Sequence, residues 1–461
     1  MSHPVSTHAY PHSTPPGPRG SLLRGNFPDI QRDVLNFLTC CAREYGDIVR
    51  YRLVTFYGYL LSHPDYVEEV LVKNNANFIK GRGLRANGIL FGNGLLTSEG
   101  ELWLRQRRLA QPAFHRERIA AYGGVMLEYT RHMLEEWRDG EERDISEEMM
   151  GLTLQIAARV FFGAYVGDEI PRVKSAFEEV SRQNVRRTRL FHLPDAIPTP
   201  ANVRYNRAVR QLDSIICRII EQRRGNAQDA GDLLSSLLQG RDEDGNVMSS
   251  RQLRDEVITF FLAGHETTAL ALSWAWYLLA QHPEAESELV AELERVLAER
   301  EPTVDDLPAL RYAEAVINEA MRLYPPTWLM VREAVHDCAI AGYHISSGSS
   351  VVFSQWVMHR DPRYFHKPER FSPDRWLGGL AKQLPRFAYF PFGGGPRLCI
   401  GAGFAMTETV LLLAAIARQF HFELVPGHPV VPMPAITLRP QHGIKVRIVK
   451  RKRSESAVRV G

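Results

Sequence analysis

The sequence predicts a mainly α-helical protein with a small β-sheet region. Apolar residues recur with a helical period through most of the chain, whereas the alternation typical of strands is confined to short runs nearer the two ends. No internal repeat or long linker divides the chain, so we expect a single domain over residues 21–450. A disordered, proline-rich segment at 1–20 would precede it, and a basic flexible tail at 451–461 would follow it.

The order of the elements follows from this periodicity and from the positions of proline. Pro283 follows the longest helix, and Pro325 and Pro326 close another, because proline cannot continue the hydrogen-bond ladder of a helix. The predicted helices cover Arg118 to Asp139, Ile145 to Phe162, Arg172 to Leu190, Val203 to Arg223, Ser250 to Gln281, Pro283 to Glu299, Tyr312 to Tyr324 and Gly401 to Phe420. The predicted strands cover Ile48 to Leu53, Phe56 to Leu61, Ala339 to Ile345, Ser350 to Phe353 and Ile444 to Val449.

Composition and charge argue against several classes of protein. The chain of 461 residues carries 56 Lys and Arg against 53 Asp and Glu, and this net charge of +3 argues against a nucleic-acid binder. Its five cysteines, odd in number and scattered, indicate a reducing compartment, so we expect a cytoplasmic protein. The longest apolar stretch, Val257 to Ala280, is interrupted by polar residues and has no second span beside it. We therefore expect a buried helix and no transmembrane anchor.

The most informative stretch is FGGGPRLCIG, from Phe392 to Gly401, which directly precedes an apolar helix. A cysteine placed just before a helix lies where the helix dipole and free backbone N–H groups favour its thiolate form. A phosphate loop would require a Lys-Ser or Lys-Thr pair, and a zinc site would require further Cys or His nearby; the stretch contains neither. From the residues alone, a nucleophilic and a purely structural cysteine both remain open.

This stretch resembles the heme-binding loop of the cytochrome P-450 superfamily, Phe-x-x-Gly-x-Arg-x-Cys-x-Gly, at every fixed position. The resemblance covers roughly residues 20–450 and implies a triangular prism of helices around a buried heme b. It implies that Cys399 is the axial thiolate ligand of the heme iron, that Arg397 pairs with a heme propionate, and that Phe392 also binds the cofactor. Thiolate ligation favours cleavage of an O–O bond.

A second motif, AGHETT from Ala263 to Thr268, lies within the longest predicted helix. Acid and hydroxyl side chains are costly to bury, although Thr can bond to its own helix and Glu can be paired. A zinc-protease motif would need a second His at position 269, where Ala stands. The motif is similar to the oxygen-activation segment of the same superfamily. That similarity implies that Thr267 hydrogen-bonds the oxygen being activated and that Glu266 relays protons from water.

Glu319 and Arg322, one helical turn apart, match a further pattern of the superfamily. As an exposed pair they would stabilise a helix only slightly. In the family they form a buried network with an Arg from a later Pro-x-Arg-Phe-like segment. Two such strings follow, at 368–371 and 373–376, and the family order assigns the structural role to Arg375 in the second.

Three more residues are carried over as partners of the heme propionates. WLRQR at 103–107 resembles the helix that supplies Trp103 and Arg107, although a solvated basic helix face would look the same. Arg332 follows Arg322 by ten residues, where many relatives place another propionate Arg. Together with Arg397, these cations would offset a buried anionic cofactor.

The resemblance implies a monooxygenase that inserts one oxygen atom of O₂ into a small apolar substrate by hydroxylation or epoxidation. The stretch after Cys399 is too short for a flavin reductase domain, so NAD(P)H electrons would arrive through a separate ferredoxin or flavodoxin with its reductase. Arg105, Arg108 and Arg397 could contribute positive charge for docking. We expect a monomer. A heme-thiolate sensor or carrier is the alternative class, and it would not require Glu266 and Thr267.

The identity of the substrate is less constrained. We expect a fatty acid or similar lipid, with a terpenoid or polyketide intermediate of secondary metabolism as the alternative, because the strings at 94–98 and 111–115 resemble the fatty-acid-hydroxylating branches. By resemblance the pocket would be apolar, as ligand pockets usually are, although each side chain could equally be core. Its predicted lining is Phe78, Leu90, Phe91, Leu190, Phe191, Phe260, Ala263, Gly264, Trp328, Leu329 and Ile436.

Overall fold

The computed structural model describes residues 14–189, 197–225, 231–241 and 245–451. Within them the helices are α1 (Phe27–Tyr45), α2 (Pro64–Glu68), α3 (Arg82–Arg85), α4 (Gly88–Phe91), α5 (Gly100–Ala110), α6 (Arg116–Glu135), α7 (Ile145–Phe162), α8 (Ile170–Arg189), α9 (Pro200–Gly225), α10 (Leu233–Gln239), α11 (Ser250–Leu279), α12 (Pro283–Leu297), α13 (Arg311–Leu323), α14 (Gln355–Met358), α15 (Asp374–Leu377), α16 (Leu380–Gln383) and α17 (Ala402–Ala417). The strands are β1 (Ile48–Leu53), β2 (Phe56–Leu61), β3 (Phe78–Lys80), β4 (Glu142–Asp144), β5 (Met330–Ala334), β6 (Cys338–Ile340), β7 (Tyr343–Ile345), β8 (Ser350–Phe353), β9 (Phe420–Leu424), β10 (Pro432–Pro434), β11 (Leu438–Pro440) and β12 (Lys445–Lys450). This mainly helical architecture with small sheets confirms the predicted fold class.

Four predicted elements have the observed bounds, and the others are shifted at one end or both or are split. Helix α7 and strands β1, β2 and β8 begin and end where the periodicity predicts. The helix predicted to reach Phe420 ends at Ala417, because Phe420 and Phe422 are buried on the same face of the following strand, β9. The single strand predicted to begin at Ala339 is a hairpin of β6 and β7, since Gly342, with a φ of 80°, reverses the chain.

Capping residues mark the ends of two helices, α7 and α11. The Ser249 side chain accepts a hydrogen bond from the Gln252 N–H at 3.2 Å, and this starts α11. Asp144 caps α7 by accepting from the Ser146 N–H at 3.0 Å. Gly163, in the left-handed conformation, ends α7. These caps fix where α7 and α11 begin and where α7 ends.

The chain divides into two compact units. The first comprises Met1–Asn87, Thr327–Pro368 and Gln383–Cys399. It is built on a five-stranded sheet in the order β1-β2-β8-β5-β3, in which β2 and β8 are parallel and the other pairs antiparallel. Of the segment predicted to be disordered, residues 14–20 are described, and the Pro16 carbonyl accepts a hydrogen bond from the Arg50 N–H at 2.8 Å. The core of this unit includes Ile48, Tyr59, Leu61, Phe78, Val351, Phe353, Phe387 and Phe390.

The second unit comprises Gly88–Pro326, Glu369–Lys382 and Ile400–Gly461, and it contains most of the long helices. Helix α11 packs against α7 and α13, and α17 packs against α6. A three-stranded sheet, β4-β12-β9, and the β10–β11 hairpin complete the unit. None of the described helices combines the length and apolar character needed to cross a bilayer.

Candidate functional site

A backbone hydrogen bond and two glycines determine the conformation of the loop that carries Cys399. The Cys399 N–H donates to the Phe392 carbonyl at 3.0 Å, and Gly393 and Gly395 take positive φ angles of 73° and 68°. A Cβ atom on Gly395 would lie 1.9 Å from the Leu71 carbonyl oxygen, so glycine is required there. Cys399 itself is exposed, three residues before the start of α17. The loop therefore presents a sulfur outward at a helix start.

Two buried cations face each other close to this loop in the first unit. Arg332 on β5 and Lys80 on β3 are directly opposite in the antiparallel register, and they are only 7% and 5% exposed. Arg332 and Arg397 also line one small cavity with apolar neighbours that include Leu71 and Phe78. Like charges directly opposite on a sheet repel each other, and an anionic group bound at this face would relieve the repulsion. The sequence analysis did not single out Lys80, because only the strand register brings it beside Arg332.

Helix α11 has one open strip along an otherwise buried length. Ala263 is exposed and Gly264 and Thr267 are partly exposed, whereas Phe260, Leu262, His265 and Thr268 are buried. Residues at i, i+1 and i+4 share one face of a helix, so these small side chains open a single side. The Thr267 hydroxyl donates to the Ala263 carbonyl at 3.0 Å. A Cβ on Gly264 would lie 2.8 Å from the ring of Phe161, so glycine permits the close packing of α11 on α7.

Glu266 is held on the closed side of the same helix. Its side chain is 5% exposed, and its Oε1 accepts a hydrogen bond from the Thr437 hydroxyl at 2.5 Å and one from Arg439 Nε at 2.6 Å. The Arg439 guanidinium forms an ion pair with the same oxygen and lies over the Phe177 ring, 4.7 Å from its centroid. The sequence analysis predicted the neighbouring Ile436 as pocket lining but missed Arg439, since no local pattern links it to Glu266.

His265, next to Glu266, is fully enclosed. Its Nδ1 lies 2.6 Å from the Phe261 carbonyl, and its ring packs near Phe177. Burial lowers the pKa of His265 below its ordinary value, so the imidazole is neutral at pH 7. The histidine of the AGHETT motif thus packs within the helix bundle as an uncharged ring.

Glu319 anchors a second, fully enclosed network in the second unit. Glu319 and Arg322 are both 0% exposed, and Arg322 donates to Glu319 through Nε at 2.8 Å and Nη2 at 2.9 Å. Arg375 Nε, Trp376 Nε1 and the Ser372 N–H donate to the same carboxylate at 2.9, 2.9 and 3.0 Å. Arg370, in the other candidate string, contributes its backbone carbonyl to Arg322. Ser372 and Trp376 were not anticipated.

The remaining predicted cofactor partners lie on α5. The Arg107 guanidinium carbon is 5.9 Å from the ring centroid of Trp103, and both side chains are partly exposed. This geometry is a loose cation–π contact, which leaves the polar ends of both side chains able to contact another group.

The predicted pocket residues are distributed over both units. In the first unit Phe78 and Trp328 are buried and Leu329 is partly exposed. In the second unit Leu90, Phe91 and Phe260 are buried, while Ile436 is partly exposed in the turn of the β10–β11 hairpin. Phe260 stacks on Phe114 with ring centroids 5.7 Å apart, which adds an aromatic residue that the prediction omitted. Leu190 and Phe191 lie outside the described residues.

Comparison with known proteins gives consistent matches. Residues 15–448 match the sequence model of the family described as cytochrome P450. The chain is 38% identical to cyclooctat-9-en-7-ol 5-monooxygenase of Streptomyces melanosporofaciens, over 90% of this chain and 91% of that protein. It is 35% identical to pentalenene oxygenase of Streptomyces avermitilis, over 97% and 99% of the two chains. The solved structure of retinoic acid-bound cyanobacterial CYP120A1 matches with a TM-score of 0.85 and 27% identity, covering 96% of this chain and all of that one.

Proposed function

Since the chain belongs to the cytochrome P450 family and is a monooxygenase that uses heme b, O₂ and electrons derived from NAD(P)H, we propose that its substrate is a polycyclic terpenoid. The resemblance, enzyme class and cofactor predicted from the sequence are thereby confirmed. The observation that carries the substrate proposal is the pair of relatives named for oxidation of cyclooctat-9-en-7-ol and pentalenene. The fatty acid predicted first is not confirmed, and the terpenoid alternative is favoured.

The residues present fit a heme, and we assign their roles on that basis. Bound heme b supplies the activation of O₂ and the passage of electrons to it. Cys399 is exposed in a loop that contains two glycines with positive φ, so its thiolate could hold the heme iron. Arg332, Arg397 and Lys80 supply buried or partly buried positive charge for propionates. Trp103 and Arg107 provide a further indole N–H and guanidinium for the same purpose.

The open strip on α11 suits both the substrate and the oxygen chemistry. Ala263 is exposed and leaves room beside the helix, and the neighbouring Phe260 side chain is apolar and stacks on Phe114. Thr267 places its hydroxyl on the same strip, where it can donate a hydrogen bond outward after leaving the Ala263 carbonyl. Glu266, the adjacent acid, then moves protons inward from water.

Electrons would come from a separate protein. Family members use redox partners, and we propose a ferredoxin or flavodoxin with its own reductase for this monomeric enzyme. Arg108 is exposed on α5, and Arg105 and Arg397 are partly exposed, which makes each available to an acidic partner.

A binding screen tests the substrate class. Displacement of iron-bound water by a substrate shifts the heme spin state, so titration of the resting holoenzyme with polycyclic terpene hydrocarbons, terpene alcohols and straight-chain fatty acids ranks the three classes. We expect the terpenes to bind about tenfold more tightly, since a rigid polycycle loses less conformational entropy than a flexible chain. Incubation under ¹⁸O₂ should then place one labelled oxygen in the product. A shift and labelled product with fatty acids alone would contradict the terpenoid proposal.

Substitution of Cys399 tests the ligand assignment separately. Cys399→Ser should abolish the thiolate signature of the reduced carbon monoxide complex, because a hydroxyl is a much poorer donor to the iron. Cys217→Ser is the matched control, since Cys217 is also an exposed cysteine. Retention of the signature in Cys399→Ser, or its loss in Cys217→Ser, would overturn the assignment.

A further inference from the structure

We propose that Arg439 is a positioning residue for proton delivery, which holds the Glu266 carboxylate at rest and must release it for a proton to pass. Arg439 and Thr437, both from the β10–β11 hairpin region, converge on one oxygen of Glu266. A carboxylate clamped by a guanidinium and a hydroxyl cannot turn toward Thr267, the next residue along α11. The clamp therefore governs when Glu266 can act.

The ion pair places a cation against the Glu266 carboxylate in its buried position. A carboxylate that is 5% exposed loses most of its hydration, and the loss is offset only by a close cation and good donors. The groups that face Glu266 are His265 on its own helix, neutral at pH 7, and Arg439 and Thr437 from the hairpin. Positive charge at this position comes from Arg439.

The backbone around Arg439 is fixed, so release must occur in the side chains. The Leu438 carbonyl accepts a hydrogen bond from the Trp274 indole of α11 at 3.0 Å, and the Leu438 N–H donates to the Pro326 carbonyl at 2.9 Å. These two bonds anchor the strand residue immediately before Arg439. These bonds disfavour a movement of the hairpin backbone. The ion pair would therefore break by rotation of the Glu266 or the Arg439 side chain.

Arg439 has a second interaction that stabilises its guanidinium after the ion pair with Glu266 breaks. Its guanidinium lies 4.7 Å from the centroid of the Phe177 ring on α8, within the range of a cation–π contact. When Glu266 turns away, Arg439 keeps its contact with the Phe177 ring. It also keeps contact with solvent, because its side chain is 13% exposed. The carboxylate then takes a proton from the solvent and passes it to the Thr267 hydroxyl oxygen as that hydroxyl gives its own proton to the group it hydrogen-bonds. Glu266 returns to the carboxylate form, so one proton is transferred and its own charge is unchanged.

Four variants test the proposal, which rests on the proton-relay role of Glu266 but not on the terpenoid assignment. Any compound that shifts the spin state serves as substrate for Arg439→Gln, Arg439→Lys, Glu266→Gln and the Arg439→Gln/Glu266→Gln double variant. The measurements are the fraction of reductant converted into product, the solvent deuterium isotope effect on turnover, the substrate Kd, and the denaturation midpoint. Arg223→Gln is the matched control, because Arg223 also forms a buried ion pair, with Asp232, but lies elsewhere, on α9.

We expect Arg439→Gln to lower coupling by about tenfold and to change the solvent isotope effect by about twofold, with little change in Kd, because the buried Glu266 carboxylate loses the cation that compensates it between proton transfers. Arg439→Lys should restore much of the coupling, since it restores the charge. The double variant should resemble Glu266→Gln, both in coupling and in denaturation midpoint, because the two residues act as one unit. Arg223→Gln should lower the midpoint alone.

Two results would overturn the positioning role. The first is a wild-type isotope effect and coupling in both Arg439 variants. The second is full additivity of the Arg439 and Glu266 substitutions. If Arg439→Gln does not fold, Arg439→Lys and the conservative Thr437→Val decide the question by the same readouts. A wild-type enzyme that turns over only fatty acids would contradict the substrate proposal and leave these comparisons intact.

Discussion

Two buried glutamates of the second unit, Glu319 and Glu266, differ in how their charge is satisfied. Glu319 accepts bonds from Arg322, Arg375, Trp376 and the Ser372 N–H, and these donors occupy both of its oxygens. In the described part of the chain, the hydrogen bonds and the ion pair of Glu266 converge on Oε1. A saturated carboxylate has no position left for a proton to enter, whereas a carboxylate held by one oxygen can exchange partners. Saturation therefore separates a structural acid from one able to act in catalysis.

Glu319→Gln should have the largest effect on stability. The variant removes the charge that compensates Arg322, which is 0% exposed, and we expect a loss of about 3–5 kcal/mol in the free energy of unfolding. Denaturant unfolding of the holoenzyme measures it, with Glu288→Gln on the exposed face of α12 as the control. If Glu319→Gln lowers the free energy of unfolding no more than Glu288→Gln does, a carboxylate with both oxygens hydrogen-bonded is not thereby important for stability.

Glu408, on α17, extends the comparison to a buried carboxyl that forms no ion pair with the described residues. It is 0% exposed, and within the described residues neither of its oxygens has a hydrogen-bond partner. Burial raises the pKa of Glu408 well above its ordinary value of 4.5, and the Thr268 hydroxyl acts weakly in the opposite direction. Burial therefore favours the protonated form of Glu408 in the folded protein.

The stability of the Glu408→Gln variant relative to the wild type should accordingly increase as the pH rises. The folded protein retains a proton that the unfolded chain releases above pH 4.5, so the wild type loses stability as the pH increases toward the folded pKa. The amide does not titrate, and we expect the difference in unfolding free energy to grow by about 1.4 kcal/mol per pH unit. Denaturant unfolding at pH 5, 6 and 7 measures it. Parallel stability curves for the two proteins would contradict a neutral Glu408.

The three glutamates also show what the sequence could and could not predict. Local features were readable: the FGGGPRLCIG loop has its glycines and cysteine at fixed spacing, and the strand-like runs at β1 and β2 give their bounds. Periodicity shows which face of a helix is buried but not which residue from a distant segment meets it. Arg439 lies 173 residues from Glu266, and Trp376 lies 57 from Glu319. Lys80 likewise gains its role only from strand register with Arg332.

The smallest expected effects come from removing a single donor from each cluster, by Trp376→Phe and Thr437→Val. Each variant deletes one hydrogen bond to a carboxylate, and we expect a loss of about 1–2 kcal/mol in the free energy of unfolding in both cases. The remaining donors of Glu319 keep it fixed, so Trp376→Phe should leave coupling of reductant to product unchanged. Thr437→Val removes one of the two residues, among those that the structure describes, that donate to Glu266. It should therefore lower coupling. Equal coupling in the two variants would show that the number of donors does not determine how freely a buried glutamate exchanges its partners.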